Sequence, residues 1–325
     1  MARTNYAAID IGSNAARLLI KSIDSNANSK ARFKKLVLLR VPLRLGFDIF
    51  STGTLSEKKT EKLRRLIKVY RHLMKIYDVQ DYRACATSAM RDALNGPEVI
   101  QKIFNDTGIQ IEIIDGKEEA HIIYSNHFEC LADRTGAYIY VDVGGGSTEV
   151  NFLLEGKLQS SVSYNIGTVR TLTKKVKPQE WSRLDADMAQ LAAVHTPINI
   201  IGSGGNINKI YRMAERTPYA PINFPELSQE DKALSRMPIF TVQAIYEALA
   251  PLSIEERMET FNLKADRADV IIPAAEIFLR IAKIVRAEYI HVPVIGLADG
   301  IIDELYATRL TRTPQTIRPK PHLGA

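Results

Sequence analysis

The residues most able to do chemistry in this chain lie in the segment 140–150, which reads YVDVGGGSTEV. Three consecutive glycines let a backbone turn approach a ligand closely and point its N–H groups inward, because no Cβ obstructs either. Asp142 and Glu149 place one carboxylate on each side of the turn, and Ser147 and Thr148 add hydroxyl donors. Carboxylate oxygens are ligands that Mg²⁺ prefers, and no Lys follows the glycines as it would in a P-loop. The segment predicts a site for phosphate and its accompanying Mg²⁺, with a plain glycine-rich hairpin turn as the alternative.

A second loop of the same kind stands near the start of the chain. Residues 9–14 read IDIGSN, so an apolar strand carries Asp10 near its end and the turn follows with glycine and serine. A third cluster, residues 202–205, follows an apolar strand and precedes a helix, which directs N–H groups and the positive helix end at an anion. Repetition of the loop indicates a duplicated domain, with two halves facing each other across a cleft and holding a chain of phosphates. An Asp10 that only fixes its own turn is the competing interpretation.

Length and composition set the frame for these loops. A chain of 325 residues is long enough for two domains, each with its own core. The net charge of +6 suits an anionic ligand such as a nucleotide or polyphosphate, although a generic basic surface is equally compatible. No zinc-finger or RNP motif is present, so we expect no specific nucleic-acid partner. Cys85 and Cys130 lack metal or redox spacing and are expected to be reduced core or near-core residues.

The location expected from the sequence is the cytoplasm, without a membrane partner. No apolar run reaches the length of a membrane span. The first five residues lead directly into a strand and show no signal-peptide pattern.

The elements that position the first loop form an α/β pattern. Hydrophobic periodicity and turn residues predict strands within 6–24 (a hairpin), at 34–41, 82–87 and 109–114, and helices from residues 54–56 to 77, at 96–107 and from 115–120 to about 131. The order β-β-β-α-β-α-β-α predicts an α/β domain over residues 1–125.

The helix ending near residue 77 is rich in lysine and arginine. Thr54 and Glu57 have capping-box spacing, while Ser56 is a rival N-cap. Ser88 is a predicted N-cap further along the chain. The basic residues of the helix predict a solvated face, with an anion-binding surface as the alternative.

The pattern restarts in the second half. It predicts strands at 137–143, 149–154, 158–166, 197–202 and 289–294, and helices at 167–175, 178–193, after 206, at 241–250, 253–260, 266–286 and up to about 310. Residues 216–240 are rich in proline and predict a surface excursion. The second domain is placed at residues 126–311, with its last helix allowed to pack back on the first domain, and 312–325 are expected to form a flexible tail.

Taken in order, these motifs resemble the exopolyphosphatase and guanosine pentaphosphate phosphohydrolase (Ppx/GppA) family, within the superfamily of sugar kinases, Hsp70 and actin. The similar segments are residues 8–14, 44–46, 86–93, 116–120, 141–149, 202–205, 267–271 and 296–300. The block 86–93, which reads ATSAMRDA, separates this family from the kinases. The resemblance implies two ribonuclease H-like, actin-type α/β domains flanking an interdomain cleft.

The resemblance also implies the chemistry. It implies a Mg²⁺-assisted hydrolase that releases the terminal phosphate of inorganic polyphosphate or of a guanosine penta/tetraphosphate by direct attack of water, in a chain that forms homodimers. Glu119 aligns with the carboxylate that orients and deprotonates the water, and Glu118 is the bystander. Adjacent acids at a helix start are also simply good helix starters, which is the alternative for both.

The other site residues follow from the loops and the resemblance together. Metal ligands are expected at Asp142, Glu149 and Asp10. Phosphate donors are expected at Ser13, Asn14, Gly144, Gly145, Gly146, Ser147, Thr148, Gly204 and Gly205. Candidate phosphate or nucleotide contacts are Arg17, Arg44, Arg91 and Arg267.

Three departures from the family pattern bear on these expectations. The chain is too short for the additional helical region of the family's long members. Asn206 follows the third glycine cluster where Thr is more usual, and residues 298–299 read Ala-Asp where Arg-Glu is common. A protein that binds polyphosphate or the guanosine alarmone without hydrolysing it, and a kinase of the same superfamily, are the rival functions.

Overall fold

The computed structural model describes residues 3–24, 33–127, 135–215, 225–293 and 296–311. The chain separates into two compact units, Met1–Asn126 with Leu297–Ala325, and His127–Gly296. The final helix therefore belongs to the first unit, the arrangement that the sequence analysis allowed for it when it placed residues 126–311 in the second domain. Cys130 and the predicted tail 312–325 lie outside the described residues.

The first unit is built mainly from elements of the N-terminal half. These elements are β1 (Arg3–Ile11), β2 (Ala16–Asp24), β3 (Phe33–Val41), α1 (Leu45–Thr52), α2 (Glu57–Ile76), β4 (Val79–Ala86), α3 (Ser88–Asp92), α4 (Gly96–Thr107), β5 (Glu112–Ile113) and α5 (Gly116–His127).

The second unit and the returning helix follow. They comprise β6 (Ala137–Val143), β7 (Thr148–Leu154), β8 (Lys157–Tyr164), α6 (Thr168–Leu172), α7 (Pro178–Val194), β9 (Ile198–Ser203), α8 (Gly205–Glu215), α9 (Gln229–Ala233), β10 (Arg236–Pro238), α10 (Ile239–Leu249), α11 (Ile254–Phe261), α12 (Ala265–Ala268), α13 (Ile271–Val285), β11 (Tyr289–His291) and α14 (Leu297–Thr311).

Both sheets have the same plan. The first has the strand order β3-β2-β1-β4-β5, and the second has β10-β11-β9-β6-β7-β8. In each, three consecutive strands form an antiparallel meander, and two later strands, β4 and β5 in the first sheet and β9 and β11 in the second, extend the sheet in parallel on the other side of the first strand. The second sheet has one further strand, β10, which pairs antiparallel with β11 at its edge. The predicted fold class of two α/β domains is confirmed, and the shared plan is what a duplicated domain would have.

The central strands are nearly continuous apolar runs, as expected for strands covered on both faces. Every residue of β1 from Tyr6 to Ile11 is buried, and so are the residues of β7 from Thr148 to Leu153. Polar residues of these strands are buried too, namely Asp10 in β1 and Thr148, Glu149 and Asn151 in β7.

One helix of the first unit was not predicted. Helix α1 starts after Arg44, whose φ of 54° is left-handed and whose side chain makes no cap hydrogen bond, so the usual sequence signal for a helix start is missing. The N-cap of α2 is Ser56, whose hydroxyl accepts from the N–H of Lys59. Thr54 is therefore not the cap, and Thr87 rather than Ser88 precedes α3.

Other elements differ in length from the predictions. Strand β5 has two residues where 109–114 was expected, and the predicted helix 266–286 is divided into α12 and α13. Residues 225–240 of the predicted surface excursion contain α9 and β10 and the start of α10, and 216–224 lie outside the described residues.

Helix α14 packs on the first sheet. Lys21 Nζ on β2 lies 2.8 Å from Asp299 Oδ1, and Arg309 Nη1 donates to Tyr6 Oη at 2.8 Å. Asp299, one of the departures from the family pattern, thus serves to attach this helix to the sheet.

Many of the basic residues on α2 have acidic neighbours. Lys59 pairs with Asp48 at 2.6 Å, Arg65 with Glu61 at 2.7 Å, and Lys68 with Asp106 at 2.8 Å. These contacts favour the solvated, ion-paired face over an anion-binding surface. Within the described ranges, none of the helices has the length and apolar character needed to cross a membrane.

Candidate active site

The first loop joins β1 to β2 and is organised around an ion pair. Asp10 lies directly opposite Arg17 in the antiparallel register, and Arg17 Nη1 donates to Asp10 Oδ2 at 2.5 Å. The turn itself is closed by Gly12 N–H, which donates to Ala15 O at 3.1 Å. Asp10 is buried, so its contact with the guanidinium compensates for the removal of its charge from water. We therefore assign Asp10 to holding Arg17 rather than to binding a metal.

The hydroxyl of this loop is paired with a second hydroxyl. Ser13 Oγ lies 3.0 Å from Ser88 Oγ, and both residues are buried. The start of α1 braces the loop from the other side, because Gly46 N–H donates to Ser13 O at 2.8 Å. Ser88 thus joins the predicted donor Ser13.

Arg44 contacts the loop through its backbone. Its N–H donates to Asn14 O at 2.8 Å, and its guanidinium lies over the ring of Phe47, 4.0 Å from the centroid. The structure therefore places Arg44 at the loop but stacks its side chain on an aromatic ring.

The second loop joins β6 to β7 and repeats the first one residue for residue. Asp142 lies directly opposite Glu149, with the same spacing of seven residues as in the first loop. Gly144 N–H donates to Ser147 O at 3.0 Å, which is the same turn closure. Where the first loop pairs a carboxylate with a guanidinium, the second places two carboxylates on neighbouring strands.

The second loop is supported by the segment that leads into α6. Val169 N–H donates to Gly145 O at 2.8 Å, and Arg170 Nε donates to Gly146 O at 2.7 Å. Gly167 lies against the same loop so closely that a Cβ there would stand 2.4 Å from Gly146 N. The carbonyl groups of the loop are therefore held on this side.

The N–H groups of the same loop are available to a ligand. In the part of the chain that the structure describes, neither Gly145 N–H nor Gly146 N–H donates to any protein group. Consecutive N–H groups without a protein acceptor are what a phosphate oxygen requires. Gly144 differs from them, because its N–H closes the turn.

Thr148 has a structural role here instead of the predicted one. Its side chain is fully buried, and Oγ1 donates to Ile166 O at 2.6 Å. A hydroxyl has a single proton, so this contact uses the donor that the sequence analysis expected to serve phosphate. We treat Thr148 as a support of the turn between β8 and α6.

Glu149 is buried and held by one neighbouring strand. Ser163 Oγ on β8, directly opposite in the register, donates to Glu149 Oε1 at 2.9 Å. Tyr140 lies fully buried on β6, and its burial raises the pKa of its hydroxyl well above the usual value, with further contributions from Asp142 and Glu149. The carboxylate pair therefore lies against a neutral phenol rather than against a competing anion.

The third glycine cluster lies beside the second loop. A Cβ on Gly204 would stand 3.1 Å from Asp142 Oδ1, so the two positions are adjacent. A Cβ on Gly205 would stand 2.3 Å from Arg267 Nη1, and that same nitrogen donates to Asn206 Oδ1 at 3.0 Å. The absence of a side chain at Gly205 thus admits the Arg267 guanidinium, and Asn206 supplies an acceptor that orients it.

Glu119 lies in the first turn of α5, in the first unit. It is only 7% exposed, and Arg91 Nη1 lies 3.8 Å from its Oε2. Arg91 is itself fixed, because Nη1 donates to Ile114 O at 2.7 Å. Arg91 lies on the same short helix α3 that begins with Ser88, so this helix links the first loop to Glu119.

Glu118 has a different environment from its neighbour. It is exposed and forms an ion pair with Arg83 of β4. Of the two adjacent acids, only Glu119 is buried next to a cation.

The carboxylates of the second loop fit a magnesium ion. Mg²⁺ keeps several waters and is usually bound through one or two carboxylates together with substrate phosphates. Asp142 and Glu149, opposite each other beside two available N–H groups, form such a set. In the described part of the chain no group of three or more His, Cys, Asp or Glu residues could hold a metal.

Sequence reasoning missed three contributors to these loops. Ser88 stands in the block 86–93 but was assigned only as an N-cap, and Ser163 is recognisable only once the register opposite Glu149 is known. Arg170 gave no signal, because nothing in a sequence distinguishes a buried arginine from an exposed one.

A comparison with protein families decides what these features belong to. The sequence model of the family described as the Ppx/GppA phosphatase family matches residues 22–309 of this chain. The chain belongs to the Ppx/GppA phosphatase family. The prediction of a hydrolase of this family is therefore confirmed.

Individual relatives agree with this assignment. Exopolyphosphatase 2 of Mycobacterium tuberculosis is 26% identical over 291 residues, which cover 83% of this chain and 88% of that protein. A bifunctional 3-dehydroquinate synthase/phosphatase of Fusobacterium nucleatum is 33% identical over 172 residues. That match covers 52% of this chain and 26% of the relative, so this chain corresponds to only part of that protein.

A solved structure confirms the fold. The crystal structure of the Ppx/GppA family member from Aquifex aeolicus matches with a TM-score of 0.73 at 24% identity. The match covers 96% of this chain and 100% of that one.

Proposed function

We propose that the protein releases the terminal phosphate of inorganic polyphosphate, of guanosine pentaphosphate, or of both, by Mg²⁺-assisted attack of water. The observation that carries the proposal is the second loop, where two carboxylates face each other beside two N–H groups without a protein acceptor. The exopolyphosphatase relative from M. tuberculosis supports the polyphosphate class, since it matches over most of both chains. Guanosine pentaphosphate presents the same terminal phosphoanhydride.

The second unit binds the phosphoryl group in this proposal. Gly145 and Gly146 donate their N–H groups to its oxygens, and Asp142 and Glu149 hold Mg²⁺. When bound, Mg²⁺ neutralises negative charge that develops on the phosphoryl oxygens. Arg267, oriented by Asn206, adds a fixed positive charge next to the loop.

Glu119 supplies the base in this proposal. Glu119 accepts a proton from the attacking water. The water oxygen bonds to the terminal phosphorus as the bond from that phosphorus to the bridging oxygen breaks. Phosphate leaves, and the chain or nucleotide is one phosphate shorter. Arg91, next to the Glu119 carboxylate, orients it before the proton is transferred. Arg17, fixed by Asp10, is a further cation for the phosphate chain.

Cellular location and assembly complete the proposal. We propose that the protein acts in the cytoplasm as a homodimer, in keeping with the family resemblance. Light scattering of the purified chain tests the dimer, and a mass of one chain would contradict it.

Phosphate release tests the function directly. Long polyphosphate, short polyphosphate, guanosine pentaphosphate and ATP are compared side by side, with Mg²⁺ and with EDTA. We expect Mg²⁺-dependent release from at least one of the first three substrates. Tight binding of these substrates with Mg²⁺ but no release would instead indicate a binding protein, and transfer from ATP to an acceptor would indicate a kinase.

A further inference from the structure

An ion-pair cluster centred on Arg83 holds the first turn of α5, the helix that carries Glu119. Arg83 lies on β4, and its Nη2 pairs with Glu118 of α5. The same guanidinium bonds Glu112 of β5, at 3.0 Å through Nε and 2.9 Å through Nη2. Its Nη1 donates to Glu304 of α14 at 3.1 Å.

The cluster joins one cation to three carboxylates from three different elements. The Arg83 side chain is 19% exposed, so it lies mostly out of water, whereas the three glutamates are partly exposed. Isolated surface ion pairs contribute little, but a planar guanidinium that engages three acceptors fixes geometry. Burial raises the pKa of Glu304, and Arg83 opposes that shift.

Removal of the guanidinium would leave the three carboxylates facing each other. Like charges at such distances repel, and because Glu118 lies in the first turn of α5, this repulsion acts on the start of that helix. Glu118 directly precedes Glu119, so movement of that turn changes the position of the Glu119 carboxylate. Helix α14, which carries Glu304, also packs against α5 through Gly300, where a Cβ would stand 2.4 Å from Ile122 O, so its contact with α5 leaves little room on this face.

We propose that Arg83 is a positioning residue for Glu119, acting through its ion pair with Glu118. The proposal rests on the function proposed above for Glu119. The proposal gives the two adjacent acids different roles: Glu118 fixes the start of α5, and Glu119 acts as the base. It also explains why the chain returns α14 to the first unit beside α5.

The test compares substitutions that remove the charged groups of the cluster one at a time. Arg83→Gln and Glu118→Gln are expected to lower kcat by about 10- to 100-fold with KM within about twofold, because a displaced base slows chemistry without weakening binding. Glu112→Gln is the matched control, since it removes the same charge from the same arginine but on a strand that does not carry Glu119. Its kcat should stay within about twofold of the parent. The double variant Arg83→Gln/Glu118→Gln should be no slower than Arg83→Gln alone.

Equal losses in the Glu118 and Glu112 variants would overturn the proposal, and so would an unchanged kcat in Arg83→Gln. Amide hydrogen exchange at residues 116–121 gives a readout that needs no activity. Faster exchange there in Arg83→Gln and Glu118→Gln, but not in Glu112→Gln, supports the positioning contact even if the parent protein releases no phosphate. In that case the proposed function fails while the contact stands. Unchanged exchange in all three variants would reject the contact itself.

Discussion

The hydroxyl of Thr148 offers the sharpest test of how the second loop is held. Thr148→Val keeps the shape of the side chain and removes only the bond from Oγ1 to Ile166 O, which measures 2.6 Å in a fully buried setting. The carbonyl of Ile166 then loses this donor in a site that water does not reach. Leaving a buried polar group unsatisfied costs about 1–3 kcal/mol.

Urea unfolding measures this cost. With an m-value of about 2 kcal/mol/M, a loss of about 2 kcal/mol lowers the unfolding midpoint by about 1 M. Thr148→Ser is the control, because it keeps the hydroxyl and loses one buried methyl group, worth about 1 kcal/mol. Its midpoint should fall between those of the parent and the valine variant.

A different result would refute the assignment of Thr148. If the hydroxyl served phosphate as the sequence analysis expected, Thr148→Val would keep its urea midpoint and raise the KM for polyphosphate. The serine variant would then keep the KM of the parent, because it retains the hydroxyl.

Three further predictions follow from single positions. Gly167→Ala places a Cβ 2.4 Å from the backbone of the second loop, so kcat/KM for phosphate release should fall by about 100-fold. Gly136→Ala is the control and should leave kcat/KM unchanged, because its nearest contact would be a Tyr138 ring carbon at 3.4 Å. Burial and the nearby Arg236 lower the pKa of His291 below 6.5, so the contribution of this residue to the free energy of unfolding is fully present above pH 6.5 and is lost as the pH falls below it. Urea midpoints at pH 7.5 and 5.5 should therefore differ less in His291→Gln than in the parent or in His72→Gln, a control at an exposed position. Equal pH dependence in all three proteins would contradict this. Burial raises the pKa of the Cys85 thiol to about 12, so little reactive thiolate forms at pH 8. In a Cys130→Ser background, iodoacetamide at pH 8 should therefore label Cys85 only after unfolding. Rapid labelling of the native protein would contradict this.

The sequence was most informative where local chemistry and periodicity agree. The two loops were located from Asp, Gly and Ser at the ends of apolar strands, and the structure repeats them with the same turn closure, 3.1 Å in one and 3.0 Å in the other. Helix α4 was predicted at its observed bounds, because an Asn-Gly-Pro start and a glycine end mark it clearly. These features are encoded within a few residues of each other.

The features that were missed depend on the tertiary structure. Helix α1 begins without a capping side chain, at an arginine in the left-handed conformation, so no local rule marks its start. Thr148 was predicted to donate to phosphate, but its hydroxyl donates to Ile166 O in the turn between β8 and α6, a contact that the tertiary structure creates. Asp10 and Asp142 look alike in sequence, and only the strand register shows that one faces Arg17 and the other Glu149.

The central claim is that Glu119 is the base for attack of water on the terminal phosphate. The most direct measurement is the steady-state rate of Mg²⁺-dependent phosphate release from polyphosphate and guanosine pentaphosphate by Glu119→Gln, compared with Glu98→Gln. The control makes the same chemical change in the first turn of α4, at an exposed position of the same unit. We predict a loss of at least about 100-fold in kcat for Glu119→Gln with substrate binding retained, and no loss for Glu98→Gln. Undiminished release by Glu119→Gln on every substrate that the parent hydrolyses would contradict the account.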